Sequence, residues 1–165
     1  IPSEEVFTTP HRLKVEGTVC STKPLSYQGT LIDEIRVTFK EGKIIDAKAS
    51  KGEEVLRKVL DIDEGARRLG EVALVPDSSP ISQSNLLFYN TLFDENAACH
   101  IALGQCYSKC FKDGNKITKK QIKQFGGNSS MIHIDWMIGS KDISIDGLGY
   151  KDTSTPIFRG GEWVD

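Results

Sequence analysis

The chain has 165 residues, 38 % hydrophobic and 27 % charged, with 21 Lys and Arg against 23 Asp and Glu for a net charge of −2. That length supports one domain with a real core. There is no basic stripe for nucleic acid and no acidic solvated tail, nor any apolar run near the ~20 residues a membrane span needs. No signal-peptide h-region is visible, although a start at Ile1 rather than Met leaves room for a leader removed earlier. Cys20, Cys99, Cys106 and Cys110 contain no CxxC pair. This argues against a zinc ribbon and leads us to expect reduced thiols in a cytoplasmic protein.

In chain order, the first third reads as β. HRLKVEGTVC (11–20) alternates in part, and IRVTFK (35–40) and KIIDAKA (43–49) flank Glu41-Gly42 as a hairpin. From Gly52 to Leu60 the spacing turns helical, with Val55, Leu56, Val59 and Leu60 as the stripe. A second short helix is expected over residues 63–69, whose early acids and late arginines suit the helix dipole. LGEVALVP (69–76) reads as a short apolar strand stopped by Pro76, and residues 77–85 read as loop. FDENAACHIALGQCY (93–107) reads as a loop entering a helix rich in small residues, with Asp94 or Asn96 as its cap. Residues 112–130 are basic and polar and are expected to be exposed. MIHIDWMIGS (131–140) reads as a strand that sends Ile132, Ile134, Trp136 and Ile138 to a core side and His133 and Asp135 to the other. KDISIDG (141–147) and TPIFRGGEWV (155–164) read as two further strands. Mixed order without βαβ regularity predicts a single α+β domain over 1–165, largely antiparallel with a few helices.

Three places could carry chemistry. His133 and Asp135 are two apart on a strand and share a face. They are either a satisfied pair at a sheet surface or ligands of one ion or of adjacent ions. Glu71 sits among small and apolar neighbours. Buried there, its carboxylate needs a cation, a proton or water; on an edge strand it would simply face solvent. His100 and Tyr107 are seven apart and would share one helix face with Ala97 and Gly104, whereas Glu95 joins them only if it precedes or opens the helix. His100 could equally be a core histidine bonded to a carbonyl. There is no HExxH, P-loop, GxGxxG or GxSxG. His11, after Pro10, is expected on an exposed strand. Taken together, two histidines and several carboxylates on apolar elements are the kind of set a dinuclear metal site needs.

EEVFTTP (4–10), ARRLGEVALVP (66–76), FYNTLFDENAACHIALG (88–104) and HIDWMIGS (133–140) closely resemble the aminopeptidase T / aminopeptidase S family of metallopeptidases, in the family's order. GTVCSTKPLSYQGTLI (17–32) and ISIDG (143–147) are similar as well. The resemblance implies a two-metal exopeptidase acting on peptides with a free N-terminus, homodimeric in its full-length form. Glu5, Glu71, Glu95, His100, His133 and Asp135 would be the metal ligands, placed between strands and the small-residue helix. The oxygen-rich set admits zinc, cobalt or manganese. Tyr107 matches a tyrosine of the family's active site and would donate to a developing oxyanion. Glu71 is the first choice for the catalytic base and Glu95 the second. The family usually has Gly where this chain has Glu4, but the following Val-Phe-Thr fixes Glu5 as the matching carboxylate. Family enzymes are longer, so the chain is expected to be the C-terminal, metal-bearing part of one. The competing expectation is a non-catalytic interaction or dimerisation module whose acidic and histidine cluster is structural or empty.

Overall fold

Short runs of β-branched and aromatic residues, broken by polar dipeptides, fold as antiparallel pairs throughout the chain. The computed structural model describes residues 3–164, with only the backbone at Asp152. Its elements in order are β1 (Val6–Thr8), β2 (Gly17–Cys20), β3 (Leu25–Tyr27), β4 (Thr30–Ile32), β5 (Arg36–Lys40), β6 (Lys43–Lys48), α1 (Glu53–Leu60) and β7 (Leu69–Leu74). There follow α2 (Pro80–Ser84), α3 (Thr91–Asp94), β8 (His100–Gly104), α4 (Lys119–Gln124), β9 (His133–Met137), β10 (Ile145–Leu148), β11 (Ser154–Arg159) and β12 (Glu162–Trp163). Four strands form the central sheet in the order β1-β7-β8-β9, every neighbour antiparallel. Beside it stand the sheets β2-β5-β6 and β10-β11-β12 and the hairpin β3-β4.

The expected hairpin at Glu41-Gly42 forms: both residues adopt left-handed backbone, φ 50° and 73°, as a two-residue type I′ turn requires. α1 follows as expected, burying Leu56, Val59 and Leu60. These join Ile32, Ile35, Val37, Phe39 and Ile44 and the inward face of the central sheet (Leu69, Ile101, Leu103, Ile134, Trp136) in one continuous core. The mixed, antiparallel α+β architecture is therefore as expected. None of the described helices is long and apolar enough to cross a membrane, and the four cysteines are free thiols.

Several local expectations need correction. The helix expected within 93–107 does not form. α3 and a 3-10 turn at Glu95–Ala97 end at Ala98, whose backbone is extended, and His100–Gly104 is a wholly buried strand. Ala102 and Gly104 are small because this strand is covered on both faces, a demand that overrides helix propensity. Cys106 and Cys110 consequently share no helix. The helix expected over 63–69 is a 3-10 turn, Glu64–Arg67, capped by the Asp63 side chain. The strand expected at 11–20 begins only at Gly17, and His11 lies outside it. The 77–85 loop contains α2, which starts at a Ser79 cap followed by Pro80. The strand expected over 155–164 is the β11-β12 hairpin.

The stretch expected to be exposed, 112–130, is buried at Ile122 and over residues 126–128. Asn128 is 1 % exposed, and its Nδ2 donates to the carbonyls of Gly65 at 2.8 Å and Gly104 at 2.7 Å, tying the turn after α1 to the end of β8. Its amide has no room for a glycan, although Asn128-Ser129-Ser130 fits the sequon. Asn128→Ala should lower unfolding free energy by roughly 1–3 kcal/mol, since the Gly104 carbonyl loses this donor and the Gly65 carbonyl is left with the Arg68 N–H alone; urea titration followed by tryptophan fluorescence would measure it.

Candidate metal centre

Strand alternation builds the site, with one correction supplied by a bulge. Leu69 pairs with Leu103 and Glu71 with Ala102, so Gly70 is an extra residue in β7. In a regular strand Leu69 and Glu71 would share a face. The bulge lets Leu69 point into the core while Glu71 points to the opposite side. From there the register is strict: Glu71, Ala102 and Asp135 form one row across three strands, and Ala73, His100 and Met137 the next. Alanines between the polar residues leave room for them to lean together.

Glu71 is 3 % exposed, His100 1 % and Asp135 6 %. β7 lies between β1 and β8, which rules out an edge strand with Glu71 in solvent. Glu5, just before β1, brings its Oε1 to 3.8 Å from His100 Nε2, whereas Glu4 is exposed. His133 Nε2 lies 3.1 Å from Glu71 Oε2 and 3.3 Å from Asp135 Oδ1. Two triads result, Glu5–Glu71–His100 and Glu71–His133–Asp135, each with ligand atoms within 4.8 Å of one another. Glu71 belongs to both.

The outer hydrogen bonds fix the imidazoles. His133 Nδ1 is 2.7 Å from the Gln105 carbonyl and His100 Nδ1 is 3.1 Å from that of Ala98. A carbonyl only accepts, so each Nδ1 carries the proton and each Nε2 offers a lone pair to the carboxylates, the usual arrangement of a metal-ligating histidine. His133 Nε2 and Asp135 Oδ1 are buried without a hydrogen-bond partner. Acceptor facing acceptor in a buried place is unfavourable unless a proton or a cation lies between them. Without a cation the proton serves: burial works against a charged His133, but Asp135 and Glu71 outweigh it and push its pKa up to about 10. The residues therefore fit divalent cations, with oxygen and imidazole donors in each triad.

Glu95 opens the 3-10 turn after α3 and belongs to neither triad. Burial, followed by the charges of Asp135, Glu5 and Glu71, pushes its carboxyl up to about 8. Burial and then the charges of Glu71 and Asp135 likewise raise Glu5 despite the opposing pull of His100. Tyr107 shares no helix face with His100, because β8 stops at Gly104. Its ring nevertheless packs 4.8 Å from that of His133 and 5.5 Å from that of Phe7. Burial and the neighbouring carboxylates raise its hydroxyl to about 12.

Asp94 caps no helix end. Its carboxylate accepts from the backbone N–H groups of Phe88 and Asn90 at 2.7 and 3.0 Å and fastens the loop before Glu95. α3 is capped by Asn90 instead. Sequence reading missed Gln105 and Ala98, whose contribution is a backbone carbonyl that no residue type signals. Two concavities flank the cluster. One of about 350 Å³ is lined by Glu5, Glu95, Leu92 and Phe93; one of about 280 Å³ is lined by His133, Tyr27, Gln28 and Tyr89.

The model of the thermophilic metalloprotease (M29) family matches residues 1–163. The chain is 55 % identical over 164 residues to aminopeptidase 2 of Geobacillus stearothermophilus and 52 % identical to aminopeptidase AmpS of Bacillus subtilis, in each case over 99 % of this chain and 40 % of the relative. Wild-type AmpT from Thermus thermophilus superimposes with a TM-score of 0.92 at 52 % identity, over 98 % of this chain and 40 % of that one. The chain spans about two fifths of the length of the curated relatives it matches.

A Cβ at Gly70 would meet the Gln105 carbonyl oxygen at 2.3 Å, the same oxygen that orients His133. Gly70→Ala should cost about 1–3 kcal/mol of stability and weaken zinc binding about tenfold or more, as read by calorimetric titration. The metal-free protein should also lose stability as pH rises. Glu95 is raised from 4.5 to about 8 and His133 from 6.5 to about 10, so each contributes fully below its unfolded value and less as pH climbs through its folded one. Melting temperature in chelator should fall from pH 5 to pH 9, and a rise over that interval would contradict these assignments.

Proposed function

Because the chain belongs to the thermophilic metalloprotease (M29) family, we propose that it is the C-terminal, metal-bearing part of a longer aminopeptidase that uses two divalent cations to remove N-terminal residues from peptides. The observation that carries this is the place of Glu71 in both triads. One carboxylate common to two neighbouring histidine–carboxylate sets is what a bridged pair of cations requires. Glu5, Glu71 and His100 would hold one cation, and Glu71, His133 and Asp135 the other, with zinc, cobalt and manganese all compatible with the donors. Bound there, the cations supply Lewis acidity toward the scissile carbonyl and lower the pKa of a water.

The protein's own residues do the rest. Glu71 orients both triads, which makes it indispensable to turnover. Glu95 holds a proton up to about 8, a value that nearby positive charge draws back toward neutrality; this suits a group that takes a proton and hands it to a leaving amine. Tyr107 stays protonated at any working pH, so its hydroxyl, beside His133, can donate to a developing oxyanion. The concavity lined by Glu5 and Glu95 suits the substrate's free ammonium group, with Leu92 and Phe93 against its first side chain. The neighbouring concavity beside His133 suits the remainder of the peptide. A non-catalytic module gains no support from relatives that are named as aminopeptidases.

Calorimetric titration of the metal-free protein with zinc or manganese should show two equivalents bound, and Glu71→Gln should abolish at least one. In the full-length protein the same variant should slow hydrolysis of an aminoacyl p-nitroanilide by about a hundredfold or more with an unchanged far-UV CD spectrum. Normal turnover would remove Glu71 from the machinery.

A further inference from the structure

A third concavity, of about 270 Å³, shares no residue with the candidate metal centre. It lies where the Glu64–Arg67 turn, α4 and residues 128–131 meet, lined by Arg12, Arg68, Lys119 and Lys123 together with Asp63 and Glu64. The two acids offset only half of the four cations, and neither forms a close ion pair with them. The Asp63 carboxylate is engaged by the Ala66 N–H, the Ser130 hydroxyl and the Met131 N–H at 2.8, 2.9 and 2.6 Å. Glu64 is 76 % exposed and approaches Arg68 only to 4.0 Å. Arg12, Lys119 and Lys123 form no ion pair among the described residues.

Arg68 is the fixed point. Its Nη1 donates to the carbonyls of Arg12 and Glu41 at 3.0 and 3.1 Å, so the guanidinium cannot swing away. Its Nε is buried without an acceptor, and its Nη2 has only the distant Glu64. Around it positive charge is in excess: four cations against Asp63 and Glu64 line the recess, and residues 109–123 carry six lysines against Asp113, in a chain whose net charge is −2. Cations gathered about one recess repel each other and hold an anion more strongly than scattered ones would. With Asp63 and Glu64 counted, an excess of two positive charges remains, of which a monoanionic carboxylate would offset only one. A tetrahedral dianion presents several oxygens to donors arriving from different elements.

We propose that this concavity binds a phosphate-type oxyanion, either inorganic phosphate or the phosphoryl group of a larger ligand. Binding there is independent of the chemistry proposed for the metal centre. The test uses metal-free protein, so that no bound cation can recruit phosphate. Inorganic phosphate is titrated at constant ionic strength against a chloride background, with calorimetry and amide NMR as readouts. Saturable binding is expected, with shifts at Gly65, Ser129 and Ser130 and none at His100. Lys119 and Lys123 are exposed, so K119Q/K123Q should keep the fold, verified by far-UV CD, and weaken binding about tenfold or more. O-phosphoserine binding more tightly than phosphate identifies a phosphorylated ligand, and equal or weaker binding identifies free phosphate; both support the site. Shifts that grow linearly without saturating, or an affinity unchanged in K119Q/K123Q and in Arg12→Gln, would overturn it.

Discussion

The structure depends on one confrontation: an imidazole lone pair on His133 turned toward the carboxylates of Glu71 and Asp135, where Nε2 and Asp135 Oδ1 are themselves buried. The distances of 3.1 and 3.3 Å are too short for three acceptors to tolerate without positive charge among them. A proton resolves the conflict in the protein alone, and a divalent cation resolves it with more charge and more directional bonds. Proton and metal are thus competitors for one position, which couples metal affinity to pH. The Gln105 carbonyl decides the matter locally. By accepting from Nδ1 it leaves Nε2 facing the carboxylates, so the neutral ring cannot donate to Glu71 and either a proton or a cation must come to Nε2.

That confrontation exists because the central sheet has two buried faces with different duties. One face supplies Leu69, Ile101, Leu103, Ile134 and Trp136 to the core. The other brings Glu71, His100, His133 and Asp135 together over alanines. Burial of the first face is what holds the second in register, since a one-residue slip of β9 would exchange Trp136 with Asp135. The hydrophobic core therefore sets the geometry of the charged cluster as well as the stability of the fold. The Gly70 bulge is where the two duties meet, because without it Leu69 and Glu71 would be confined to the same side.

What the sequence revealed follows from which forces are local. The faces of β9 were legible from 131–140 because period-two alternation needs no partner strand to be recognised. The hairpin at Glu41-Gly42 and the stripe of α1 were legible for the same reason. Glu71 was legible as an anomaly, a carboxylate among apolar neighbours. Whether it sat on an edge strand or inside the sheet was not, because that depends on pairing of its strand with residues 6–8 on one side and 100–103 on the other. His100 was picked out as a candidate and given the wrong element. Small residues favour a helix locally, and only the neighbouring strands reveal that Ala102 and Gly104 are small to be covered on both faces. Glu5 came from resemblance alone, since nothing near residue 5 signals a cluster that the chain completes at residue 135.

The anion recess and the metal cluster show opposite solutions to one electrostatic problem. In the cluster, acids and imidazoles are buried against rigid strands, so the unmet charge is desolvated, directional and suited to small divalent cations that accept both oxygen and imidazole donors. In the recess only Arg68 is held rigidly, while Lys119 and Lys123 reach in from the exposed side of α4. Its field is broader, more hydrated and screened by salt within about 10 Å at ordinary ionic strength. The backbone joins the two: Asp63 grips Ser130 and Met131 at the rim of the recess, and two residues later β9 begins at His133. The two remain chemically separate, because the carbonyl that sets the His133 imidazole belongs to Gln105, which lies outside the recess.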